Sequence, residues 1–119
     1  MTKPPRLAKK DLSNANLSGS DLAGADLHET KLRHATLKET NLEGSDLTQA
    51  DLTRANLSGA SLRDATAAHA NLEGADLRGA NLEGANLRGA RLEGAKLDDP
   101  AGIAWADSAP APDTAGGEP

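Results

Sequence analysis

The chain has no cysteine, phenylalanine or tyrosine, and its 119 residues include a single tryptophan and a single methionine. Disulfide frameworks, thiolate metal sites and cysteine nucleophiles are therefore excluded. So are the aromatic platforms on which nucleic-acid-binding sheets stack bases, and no direct nucleic-acid binding is expected. No apolar run approaches the ~20 residues of a membrane span. The opening MTKPPRLAKK carries no apolar signal region, so the expectation is a cytoplasmic protein that makes no membrane contact.

What the chain does contain is a repeat. Leu recurs every five residues from Leu7 to Leu62, yields once to Ala67, and resumes from Leu72 to Leu97. Two positions before each central residue stands Ala, Ser or Thr in every unit from Ala15 to Ala95. The residue just before the centre is mostly Asp, Asn, Ser or Thr, and the second residue after it is Gly in nine units.

A period of five suits neither regular element. On a helix five residues turn about 500°, so successive leucines would walk around the axis. On a flat strand they would point to opposite faces in turn. The pattern works only if the chain corners once per unit, returning each Leu to a common interior and stacking its coils about 4.8 Å apart. Gly after the centre suits a tight turn. Asn14 and Asp64 at the same position suggest that more than one turn type is used.

Units such as AsnLeuGluGlyAla (71–75), AspLeuArgGlyAla (76–80) and AsnLeuArgGlyAla (86–90) resemble the pentapeptide repeat family, whose consensus is A(D/N)LXX. The resemblance runs without a gap over residues 5–99. It implies an all-β fold, a right-handed quadrilateral β-helix with four pentapeptides per coil and a little under five coils. Residues 20 apart would then stack. The first side would carry Leu7, Leu27, Leu47, Ala67 and Leu87, the second would begin at Leu12, the third at Leu17 and the fourth at Leu22. All 18 central leucines would face the core. Ala67 would be a small gap closed by its neighbours, with a weak point in the coil as the alternative.

The expected organisation is an N-terminal arm or cap (1–6), the β-helix (7–99), a C-terminal cap (100–105) and a disordered acidic tail (106–119). Ile103 and Trp105 are the large apolar residues after Leu97. They are read as a lid over the last Leu layer, with a dimer contact as the alternative, so a monomer or an end-to-end homodimer is expected. The tail has no branched apolar or aromatic residue with which to build a core.

No catalytic constellation, cofactor site or metal site is expected. His28 and His69 fall on the first side two coils apart, and His34 falls on the second beneath Arg54, so the three histidines do not converge. Carboxylates are spread among arginines, and no isolated pair suggests acid–base work. The leading reading is a non-enzymatic structural or protein-interaction module with an unidentified protein partner. Its expected docking face is the flat stretch of the third side bearing Ser18, Gly19, Ser58, Gly59 and Gly79. The alternative, which the family resemblance implies, is a DNA-mimicking protector of a type II topoisomerase, DNA gyrase. Mimicry needs a continuous acidic face. The net charge of −5 divides into +2 for residues 1–6, −2 for 7–97 and −5 for 98–119, so most of the acidity lies outside the repeat.

Overall fold

The computed structural model describes residues 3–98. These residues wind as a column held by fifteen isolated parallel β-bridges, from Arg6↔Asp26 to Asp76↔Lys96, and each bridge joins residues 20 apart. Four pentapeptides therefore complete one coil. Among the described residues pairing stays confined to single bridges, because the chain corners before a longer strand can form. None of the described residues lies in a helix long and apolar enough to cross a membrane.

One unit explains the consensus. The amide of Asn41 donates down to Ser20 O (2.9 Å), while Leu42 and Gly44 donate up to Ser61 O (2.7 Å) and Arg63 O (2.9 Å). Ser45 N donates to Leu42 O (3.1 Å) and closes the turn. Only the amide after the leucine is left, and Asn41 Oδ1 accepts from Glu43 N at 3.0 Å. A buried or half-buried amide needs such a partner. Asp or Asn before the centre supplies it by the side-chain turn these residues favour. The same bond recurs at Asp21, Asn56, Asp76 and Asn86.

Inside, the leucines from Leu22 to Leu92, interrupted only by Ala67, are buried together with the small residues beside them. The expectation of 18 buried leucines needs correction: Leu7, Leu12, Leu17 and Leu97 are only partly buried against this core. Lys3 to Arg6 follow the wall of the column. Pro4 packs where a side chain at Gly24 would stand, and Pro5 O accepts from Asp26 N at 2.9 Å. Coils with a neighbour above and below bury their leucines, whereas Leu7, Leu12 and Leu17 have a coil on one side only. Ala67 is 1% exposed and sits in an unbroken ladder, its amide reaching Asn86 O at 2.7 Å. The substitution leaves the coil undistorted.

The expectation of several turn types is also corrected. Among the described residues the second position after the centre has φ between 58° and 75° throughout, at nine glycines and at nine other residues including Asn14, Arg54 and Asp64. Positive φ at that position alone is the sign pattern of a type II turn. The ladder above and below imposes this geometry even where a side chain raises its cost. The C-terminal cap (100–105) with Ile103 and Trp105, and the tail (106–119), lie outside the described residues.

Candidate functional site

Because every side chain repeats at 20 residues, the outer surface is a set of vertical ladders. The third side brings Ser18, Gly19, Ser58, Gly59 and Gly79 onto one wall, and all but half-buried Ser58 are exposed. Lys38 and Glu39 stand between the lower pair and the upper three, and Glu39 leans its stem over Gly59, 3.0 Å from where a Cβ would lie. Higher on the same wall, Arg78 grips Asp76 through Nε (2.9 Å) and a terminal nitrogen (2.8 Å). The guanidinium holds the Asp76 carboxyl below its usual range. Asp98 accepts from Gly79 N at 2.6 Å. The small residues are thus two short flat stretches framed by charged side chains.

The other walls alternate in sign. On the fourth, Arg63 meets Glu83 at 3.3 Å, with Glu43 and Asp64 adding their fields. On the second, Arg33 pairs with Asp51 (3.3 Å) and Arg91 with Glu73 (2.8 Å). Exposed pairs of this kind contribute little to stability. They matter more as pattern, because opposite charges a coil apart break any single-sign stripe.

His34 and Arg54 stack at one corner of the second side, in line with Gly74. His69 lies on the first side and drapes over Gly89, and Asp64 drapes over Gly84 on the fourth; no hydrogen bond joins His69 to Asp64 among the described residues. The three histidines stay apart, as the repeat register expects. Weighing histidines against each other misses a different grouping. The bridge Asp26↔Asp46 places two carboxylates one coil apart on the first side, and His28 stands two residues beyond Asp26. His28 Nδ1 lies 2.6 Å from Asp26 Oδ1. One ligand atom from each of Asp26, His28 and Asp46 falls within 4.8 Å of the other two. The hydrogen bond to Asp26 raises the His28 imidazole above its ordinary pKa and lowers the Asp26 carboxyl. The signal was present in the sequence: 26 and 46 differ by one coil, and 28 follows 26 on the same outward face.

Comparison with known proteins agrees with this geometry. The family model described as pentapeptide repeats (8 copies) matches residues 11–49, 30–66 and 68–99. The pentapeptide repeat protein Rfr23 of the cyanobacterium Cyanothece 51142 is similar at 41% identity and TM-score 0.80, over 82% of this chain and 67% of that one. A pentapeptide repeat protein of the Arabidopsis thaliana thylakoid lumen is similar at 31% identity and TM-score 0.78, over 80% of this chain and 66% of its own. A third, from Nostoc PCC 7120, has 35% identity and TM-score 0.52, over 80% of this chain and 86% of that chain. The chain thus spans about two thirds of the first two relatives. No curated protein matches it.

Proposed function

The chain belongs to the pentapeptide repeat family, and from that premise we propose that it is a non-enzymatic interaction module, a right-handed rod that presents fixed polar ladders to a protein partner. The observation that carries this reading is the uniform corner: φ at the turn varies by less than 20° across glycine and non-glycine units alike. Outward side chains therefore stand on a rigid lattice about 4.8 Å apart along the column. Such preorganisation lowers the ordering cost of association. We place the docking face on the third side, where Ser18, Gly19, Ser58, Gly59 and Gly79 allow close backbone approach between charged anchors.

The topoisomerase alternative finds less support. DNA mimicry calls for a continuous acidic face, and Arg63, Arg78 and Arg91 each neutralise a carboxylate on three of the four walls.

A photoreactive residue at position 58 and, as control, one at position 43 on the fourth side test the assignment. The expected result is a protein adduct from position 58 that excess unmodified protein competes away. Equal adducts from both positions, or none from 58, would reject the third side. A gyrase supercoiling assay without effect at micromolar protein would remove the alternative; salt-sensitive inhibition would restore it. Light scattering of chains with and without residues 100–119 would show whether Ile103 and Trp105 join two rods.

A further inference from the structure

We propose that Asp26, His28 and Asp46 form a binding site for a borderline divalent transition-metal ion, with one imidazole nitrogen and two carboxylate oxygens as its protein ligands. This site is separate from the docking face and does not depend on it.

The backbone beneath the three residues is pinned. Asp26 N donates to Pro5 O (2.9 Å), Leu27 N to Asp46 O (2.8 Å), Glu29 N to Thr48 O (2.8 Å) and Asp46 N to Ala25 O (2.9 Å). Both carboxylates are also oriented from within their own units. Asp26 Oδ1 accepts from His28 N (3.3 Å), and Asp46 Oδ1 accepts from Thr48 N (3.0 Å). In each the second carboxylate oxygen makes no bond among the described residues. Metal–ligand bonds of about 2.0–2.2 Å ask for ligand atoms about 3–3.5 Å apart. The ligand atoms of Asp26, His28 and Asp46 already lie within 4.8 Å of one another, and the half-exposed His28 and the exposed Asp46 have solvent on their outer side into which to turn.

Charge favours a cation here. The ladder stacks Asp26 and Asp46 directly, and Glu29 adds a third negative charge close to His28. Arg6, one coil below, is the single opposing cation among the groups that act on Asp26 and His28. The donor set selects the ion class. Imidazole with carboxylates suits Zn²⁺, Co²⁺, Ni²⁺ or Cu²⁺, whereas Mg²⁺ and Ca²⁺ favour all-oxygen shells. The remaining coordination positions face solvent, where water completes the shell.

Calorimetric titration of the full chain with ZnCl₂ in a non-chelating buffer tests the site. One equivalent should bind, and Mg²⁺ at the same concentration should not displace it. His28→Ala and Asp46→Asn should each weaken binding by at least about tenfold, a loss that removal of even an outer-shell partner brings. Asp46→Asn retains the Oδ1 that the coil uses, as Asn41 and Asn56 do in other units. His69→Ala should bind as the unmodified chain does. A measurement free of substitutions follows the imidazole signals as Co²⁺ is added, and His28 should broaden well before His34 and His69. Absence of binding, unchanged Zn²⁺ affinity in His28→Ala, or equal broadening of all three rings would overturn the proposal.

Discussion

Ala67→Leu should stabilise the protein, and the size of the gain follows from the ladder around it. At Ala67 the coil-to-coil bond is 2.7 Å and the turn bond 3.1 Å; at Leu57, one position in the same role, they are 2.7 and 3.0 Å. The backbone thus keeps the spacing that leucine units need, although the side chain there is three carbons shorter. Restoring three buried carbons at about 0.8 kcal/mol each contributes about 2 kcal/mol. For a domain of this size, about 1 kcal/mol shifts the midpoint by roughly 4–8 °C, so Tm should rise by about 8–16 °C. Urea unfolding should show a higher midpoint at an unchanged slope, since no extra backbone is ordered. The matched control is Leu47→Ala, one coil below in the same column, with an expected cost of about 2–5 kcal/mol. A fall in Tm for Ala67→Leu, with Leu47→Ala behaving as expected, would refute the claim that the pitch at Ala67 is that of a leucine unit.

Gly89→Ala should cost more than Gly44→Ala. Both place a methyl at positive φ, about 1–2 kcal/mol, but the new methyl at 89 overlaps the His69 ring, whereas nothing lies within 4 Å at 44; adding His69→Gly should recover the difference in thermal melts. Ser45 is 1% exposed and its hydroxyl has no partner, so Ser45→Ala should raise stability by roughly 1 kcal/mol, read from urea midpoints; a loss would show that the hydroxyl is satisfied. The fork from Arg78 depresses the Asp76 pKa. A depressed carboxyl contributes stability above its unfolded pKa, near 3.8, and loses it as pH falls through the lower folded value. Arg78→Gln should therefore move the NMR-detected Asp76 titration upward toward 3.8 and lower stability at neutral pH by more than at acid pH; no upward movement would show that the pair is open in solution.

The repeat register was readable because it rests on covalent arithmetic. A Leu at every fifth residue and a small side chain two before it fix which atoms face inward; the number of corners per coil came from the family resemblance, and the 20-residue bridges agree with four. The reason for Asp and Asn before the leucine was not readable. It emerges only when the ladder has claimed four amides of each unit and left the fifth to Asn41 or its counterparts. The single turn geometry was obscured for a related cause: local preference argues against positive φ at Arg54 or Gln49, and stacking overrides it. The grouping of Asp26, His28 and Asp46 went unseen because ligands were sought by residue type, histidine against histidine, when the fold groups residues by position modulo 20. Asp26 and Asp46 obey that rule as strictly as the leucines do.

The constant 20-residue offset between bridged positions has a consequence for how such a chain can change length. Deleting one pentapeptide would leave the interior intact yet rotate everything above it by a quarter turn, carrying Ser58 and Gly79 to a neighbouring wall. Deleting four would shorten the column by a storey and return every outward side chain to its original compass bearing. Loss of a single residue has no such escape, since it turns the leucines out of the core from that point onward. Length variation that preserves surface meaning must therefore come in whole coils, and variation by single pentapeptides is a means of re-aiming one part of the rod against another.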